Sequence, residues 1–339
     1  MLTVEAVTAD DAWVQLLELI RMGKGTLQPG RREPAHELLH VAMSIREPRN
    51  RWVTSRHPPL NPAFAIAELI WILNGHNDSK FLTYWNRRLP EFAGESATFH
   101  GAYGYRLRHH LGLDQLERAA RALRSSPSTR QVVLQIWDGT IDLPLASGAA
   151  TSPDIPCNLV SILKVREGRL DWFQVLRSND LYLGLPHNFL QFMTLQEIMA
   201  GWIGVEVGEY NQISDSLHIY ESDYAVVMES VQQPPASNTD VLLHSLEESR
   251  DLLSRVDRCA RALTEDGLED WALRRLIDTF QGPEGFRNWA VVLGAESARR
   301  RGWAALSDEL MNSCTNPALT QLWRAWTIRV GKQKQADPV

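Results

Sequence analysis

The sequence predicts a mixed α/β chain followed by a helical extension. Two observations carry that expectation. Up to about residue 235, strand-like segments alternate with helices that are apolar on nearly every side; after about residue 240, only amphipathic helical patterns rich in Glu and Arg follow. The expected organisation is one unit over residues 1–235 and a helical extension over 240–339, packed on or beside it and joined through Gln232 to Thr239. A chain of 339 residues that is 44% hydrophobic can bury a core of that size.

The elements follow in order. Asp11 is placed to cap a helix from Ala12 to Met22, which Gly23, Gly25 and Gly30 bring to an end. Glu37 to Ile45 reads as a strand, and Pro58-Pro59-Leu60-Asn61-Pro62 as a stiff turn. Phe64 to Asn74 has helical spacing that buries nearly every side, with Gly75 as its stop. Glu68 lies inside that helix and must be paired, hydrated or functional, because burying a bare carboxylate is costly. Strands are expected over 130–137, 157–165 and 170–178, the last two joined by a turn at Glu167-Gly168-Arg169. Residues 186–203 form a long apolar helix, and 205–224 carry a further strand with His218-Ile219-Tyr220. Leu242, Leu246, Leu253, Val256 and Leu263, then Trp271 to Phe280, mark the helices of the extension.

Composition excludes several classes. A net charge of −6 argues against a nucleic-acid binder. No apolar run approaches the ~20 residues of a membrane helix, and Met1 to Ala6 lacks the order of a signal peptide. Cys157, Cys259 and Cys314 are odd in number and form no metal-ligand spacing, so they read as the reduced thiols of a cytoplasmic protein without a metal. Twelve tryptophans read as packing residues.

One constellation stands out. Asp154-Ile155-Pro156-Cys157-Asn158 precedes Arg177-Ser178-Asn179-Asp180-Leu181-Tyr182-Leu183-Gly184-Leu185-Pro186-His187-Asn188. Singly, each member has an ordinary explanation: an inert buried thiol for Cys157, a surface ion pair for Arg177, a turn residue for Asp180, a helix N-cap for Asn188. Together, a thiol, an arginine, an acid and a carboxamide on neighbouring strand-like segments make an anion-binding pocket with a nucleophile. Such a pocket suits covalent chemistry on a phosphorylated, hydrogen-bonding ring. His218 and Tyr220 alternate on a strand and so face one side.

These pieces, with Glu68, Gly101-Ala102-Tyr103-Gly104 and the Cys157 to Arg177 spacing, resemble thymidylate synthase and its relatives, the pyrimidine nucleotide hydroxymethylases, over roughly residues 24 to 224. The resemblance implies a thymidylate synthase-like fold: a large twisted mixed sheet flanked by helices, assembled as a homodimer. It implies a pyrimidine nucleoside monophosphate as substrate and 5,10-methylenetetrahydrofolate as co-substrate. It makes Cys157 the nucleophile that adds to carbon 6, with Glu68, Tyr103 and Asn188 as the other catalytic residues. Arg177 and Ser178 take the phosphate with Arg32, and Arg130 reaches across the dimer to the partner's phosphate. Asn188 reads the base, and His218 and Tyr220 hold the sugar. Asp180 and Gly184 meet the pterin, and Trp85 packs on the folate. Tyr103 is otherwise a packing residue and Trp85 core filler.

The chain departs from the synthase pattern at four places. Asn158 follows the cysteine where the synthase has His, Leu176 stands where a Gln precedes the arginine, and Gln131 replaces a second arginine. The chain also runs on to Lys332-Gln333-Lys334-Gln335 instead of ending in a short apolar tail. The altered tail and the polar Asn158 favour water over hydride at the last step, hence 5-hydroxymethylation. Asn188 goes with uracil in the family, where Asp goes with cytosine. The alternatives are a divergent thymidylate synthase and a non-catalytic nucleotide-binding homologue.

Overall fold

The computed structural model describes residues 1–30, 32–228 and 234–336. In chain order the elements are β1 (Leu2–Ala6), α1 (Ala9–Arg21), β2 (Thr26–Gln28), β3 (Ala35–Ile45), α2 (Pro62–Leu73), α3 (Ser79–Trp85), α4 (Leu89–Ala93) and α5 (Tyr103–Tyr105), the last running into a π-helical turn at Arg106–His110. Then come α6 (Gln115–Ser125), β4 (Val133–Gln135), α7 (Gly139–Asp142), β5 (Asn158–Arg166), β6 (Arg169–Asp180), α8 (Leu185–Ile203), β7 (Glu206–Tyr220) and α9 (Glu221–Met228). The extension comprises α10 (Leu246–Ala262), α11 (Asp270–Asp278), α12 (Glu284–Arg300), α13 (Ala304–Asn312) and α14 (Pro317–Ala336).

The strands form one seven-stranded sheet in the order β1-β3-β7-β6-β5-β4, with β2 also paired to β3. It is mixed: β1–β3 and β6–β7 are parallel and the other pairs antiparallel. This is the mixed sheet flanked by helices that the sequence predicts. Glu167 and Gly168 both take positive φ, 51° and 73°, which closes the short β5–β6 turn as expected.

Four boundaries differ from expectation. The cap of α1 is Thr8, not Asp11: Asp11 is the third helical residue, and the two exchange side-chain bonds to each other's backbone at 3.1 Å in a capping box. The strand expected over 130–137 pairs only over Val133–Gln135, and Gln115 takes over as its neighbour by bonding both Gln135 N (2.7 Å) and Gln135 O (2.9 Å). The strand expected over 205–224 ends at Tyr220, and α9 begins at Glu221. β1 has no counterpart among the expected elements.

Apolar helices cover one face of the sheet. α2 and α8 are buried almost throughout, each entered by a proline in its first turn. Asn61 caps α2 by accepting from Ala63 N (3.0 Å) and Phe64 N (3.2 Å). α10, α12 and α14 contact α2, and α10 also contacts α8. Within the segment expected as a linker, residues 232 and 233 lie outside the described residues, and the rest is bonded down: Asn238 meets Asn50, Arg49 and Asn316 at 2.7–3.1 Å. Among the described residues no helix is long and apolar enough to cross a membrane, and no three His, Cys, Asp or Glu converge as metal ligands.

Candidate active site

The site forms where the start of β5 and the end of β6 meet the N-terminus of α8. Cys157 is half-buried just before β5. Arg177 on β6 donates its backbone N–H to Cys157 O at 3.0 Å, and its Nη2 lies 4.0 Å from Cys157 Sγ. Its Nε donates to Pro156 O (2.9 Å) and Nη2 to Ile155 O (3.0 Å), beside the Trp137 ring at 5.5 Å. The loop that delivers the sulfur thus wraps the guanidinium, and a fixed positive charge beside sulfur favours thiolate. The other thiols stay protonated at neutral pH, because burial pushes Cys259 up to about 12 and Cys314 up to about 11.

A second tether brings Tyr103 in. Asp154 Oδ2 accepts from Gly101 N at 2.7 Å. Gly104 then lies against α2 so closely that a Cβ would sit 2.2 Å from Ile72 O, an approach open only to glycine. Burial first, then the Cys157 sulfur whenever it is ionised, with Asp154 and Glu68 adding, pushes the Tyr103 pKa far above the ordinary tyrosine range, against a hydrogen bond from the Asn158 side chain. Tyr103 is therefore a phenol that can donate, not a phenolate.

Glu68 is paired, as its place in an apolar helix demands. Oε2 accepts from Gln191 Nε2 at 2.7 Å and lies 3.2 Å from His187 Nδ1. Oε1 makes no hydrogen bond to the described residues and is left for water or ligand. His187 and Gln191 are one turn apart on α8, so both face α2.

Asn188 is not a helix cap. Its backbone N donates to Gly184 O at 2.9 Å, and its side chain, 5% exposed, belongs to a buried chain of amides. Trp172 Nε1 donates to Gln174 Oε1 (3.0 Å), Gln174 Nε2 to Asn158 Oδ1 (2.9 Å) and Asn158 Nδ2 to Asn188 Oδ1 (3.1 Å). Asn188 Nδ2 donates to Asn179 Oδ1 (3.0 Å), and Asn179 Nδ2 to Ser214 Oγ (3.1 Å). Ser161 joins at Gln174 Oε1 (2.6 Å), and Tyr210 with Gln212 joins at Ser214 (2.8 and 3.2 Å).

A third group lies along the ends of β6 and β7. His218 and Tyr220 stand with ring centroids 5.2 Å apart, and Arg32 lies over the Tyr220 ring at 4.5 Å. Ser178 follows Arg177 and pairs in register with Ser216. Asp180 pairs with His218, and its Oδ1 accepts from Tyr182 N and Leu183 N, both at 2.8 Å. Its Oδ2 makes no hydrogen bond to the described residues. At Gly184 a Cβ would lie 3.3 Å from Asp180 O, so glycine lets this turn close on the acid.

Arg130, expected to serve a partner's phosphate, is exposed ahead of the edge strand β4. One expected residue falls elsewhere. Trp85 has no exposed surface; it packs edge-on to Phe81 and Tyr84 and is core, offering no face to a folate. Conversely, Gln191, Trp172, Gln174 and Asn179 belong to the site without being singled out in the sequence. Polar residues amid the apolar patterns of α8 and β6 were the available signal, since such groups need buried partners.

The family described as Thymidylate synthase matches residues 38–257, past residue 224 where the motifs end and into α10. A deoxyuridylate hydroxymethyltransferase of Bacillus phage SP01 is 37% identical over 209 residues, 58% of this chain and 54% of that protein. One from Pseudomonas phage M6 is 39% identical over 163 residues, 48% and 45% of the two chains. A putative thymidylate synthase of Methanothermobacter marburgensis is 28% identical over 224 residues, 66% of this chain and 94% of that one. The chain spans about half the length of the phage relatives it matches.

Proposed function

The chain belongs to the thymidylate synthase family, and from that premise we propose that it transfers one carbon to C5 of a uridine nucleotide, dUMP foremost, and finishes with water to give the 5-hydroxymethyl product. The observation that carries the reading is the fixed Arg177 guanidinium beside Cys157 Sγ, with Tyr103 close enough to feel Cys157 and Glu68, and Asn188 bonded to the neighbouring Asn158. The deoxyuridylate hydroxymethyltransferase relatives support the substrate and the hydroxyl outcome.

Cys157 thiolate adds to C6 of the pyrimidine, which makes C5 an enolate-like nucleophile. Methylenetetrahydrofolate supplies the one-carbon unit when bound, its pterin edge against Asp180. Arg177 and Ser178 hold the phosphate with Arg32 and with Arg130 from a second copy in a homodimer. Asn188 pairs with the base edge, and His218 and Tyr220 hold the sugar. Tyr103 and a water on Glu68 Oε1 handle the proton leaving C5. Loss of that proton breaks the bond between the transferred carbon and the folate nitrogen and leaves an exocyclic methylene on C5; water adds to its carbon, the methylene π electrons move into the ring as an enolate, and the water's proton goes to Glu68. Re-forming C5=C6 expels Cys157 Sγ. Asn158, buried beside Asn188, puts a polar side chain next to the base where the synthase pattern has His, and a polar site of this kind favours water over hydride. The reading includes a cytoplasmic setting.

The test is release of tritium from 5-tritiated dUMP, dependent on methylenetetrahydrofolate, with the product's mass. A 5-methyl product formed with dihydrofolate overturns the hydroxymethyl outcome, and no tritium release overturns the enzyme.

A further inference from the structure

The buried side chains running from Trp172 to Ser214 form one unbroken hydrogen-bonded line, and only one of them cannot run backwards. Each carboxamide in it can be turned over, exchanging oxygen for NH2, and the hydroxyls of Ser161, Ser214 and Tyr210 can donate or accept. The indole N–H of Trp172 can only donate. It lies 3.0 Å from Gln174 Oε1 in a place with no exposed surface, so Gln174 must turn its oxygen to the indole. Its NH2 then faces Asn158 Oδ1, which turns the Asn158 NH2 onto Asn188 Oδ1, and Asn188 Nδ2 onto Asn179. Reversing Gln174 sets N–H against N–H at Trp172, and reversing any amide beyond it sets N–H against N–H and oxygen against oxygen at its own neighbours, each at the cost of an unmade buried hydrogen bond.

Asn188 is left with one lone pair on Oδ1 and one N–H on Nδ2, in an order it cannot exchange. Uracil offers a donor at N3 and an acceptor at O4; cytosine offers an acceptor at N3 and a donor at N4. An asparagine free to flip serves both bases, and one held in a single orientation serves one. We propose that Trp172, acting through Gln174 and Asn158, fixes the orientation of Asn188 and so sets the discrimination between uracil and cytosine. This rests on the reading above that a pyrimidine sits against Asn188; Trp172, Gln174 and Asn158 are positioning residues that need not touch it.

The experiment is calorimetric binding of dUMP and of dCMP to the full chain, to Trp172→Phe, and to Trp172→Phe/Gln174→Met, which removes the donor and its acceptor together. The original chain is expected to bind dUMP at least about ten-fold more tightly than dCMP, and the variants to narrow that ratio to about three-fold or less, with dCMP gaining. An original chain without preference overturns the proposal. So does a ratio that survives both substitutions, and so does failure of both variants to fold, which would make the line a stability element only. Binding needs no turnover. A chain that discriminates the bases yet releases no tritium sinks the catalytic reading and leaves this one standing, whereas turnover with selectivity intact in Trp172→Phe sinks this one alone.

Discussion

Cys157 Sγ and the Arg177 guanidinium act as a unit, because the same loop carbonyls that place the sulfur hold the charge. Cys157→Ala is expected to abolish tritium release while dUMP still binds; residual release at the original rate would remove the sulfur from the chemistry. Arg177→Ala should weaken nucleotide binding by about 1.5–3 kcal/mol, the usual worth of a charged hydrogen bond. Arg177→Lys should fare nearly as badly, since an ammonium cannot reach both carbonyls and an anion; calorimetry on the two variants decides. Asn188→Asp is expected to shift preference toward cytosine, and unchanged base selectivity would refute the assigned contact. The Tyr103 pKa is raised far above the tyrosine range by burial and by the neighbouring Cys157, Asp154 and Glu68. The phenol therefore stays protonated as pH rises to about 10, and Tyr103→Phe should lower the rate without moving the alkaline limb of the pH–rate profile. A limb that disappears in the variant would show that Tyr103 titrates there.

At the scale of elements, α8 is held from behind. Glu197, with no exposed surface, accepts from Arg51, lies 3.1 Å from Arg49 Nε and takes Leu242 N at 3.0 Å. It therefore ties the segment after β3 and the start of the extension to the helix that carries His187, Asn188 and Gln191. Glu197→Ala strands a buried arginine and should cost about 3–5 kcal/mol in denaturant unfolding. Loss of less than about 1 kcal/mol would show the cluster to be dispensable. α7 is fixed in a comparable way: Asp142 meets Arg106 at 2.9 and 3.0 Å, His100 at 2.7 Å and Asp138 N at 2.8 Å. Burial alone would raise the Asp142 pKa, but these bonds outweigh it and hold it below the usual carboxylate value. A depressed folded pKa stabilises the fold above the unfolded value, near 3.9, and that contribution is lost as pH falls through the folded one. Asp142→Asn should accordingly flatten the fall in stability below about pH 4, as read by melting temperature against pH.

For the molecule as a whole, the extension shares a single core with the sheet-bearing unit: Leu253, Val256, Trp289 and Leu319 are buried in the same cluster as α2 and α8. Ending the chain at residue 239 uncovers those helices, and the shortened protein is expected to aggregate or to lose cooperative unfolding. A monodisperse, cooperatively melting fragment would contradict this. The homodimer of the proposed function predicts a solution mass twice the 38.4 kDa of the chain and an Arg130→Ala variant that binds nucleotide more weakly. A monomer of full activity would remove Arg130 from the site.

Local pattern by itself determined much of this protein. Apolar runs bounded by proline, asparagine and glycine marked α2 and α8, two-residue alternation with Gly168 marked the β5–β6 hairpin, and the block from Cys157 to Asn188 carried the family. Each of these is written in residues a few positions apart, where backbone geometry acts directly. Tertiary structure alone decided the rest. β1 is a strand because β3 lies beside it, Gln115 rather than a further strand bonds the open edge of β4 at Gln135, and Trp85 lost its surface to the core. The amide line from Trp172 to Asn188 belongs with these. A hydrogen bond between strands and a helix far apart in sequence leaves no local periodicity, and only the folded chain, by excluding water from those side chains, obliges them to find one another.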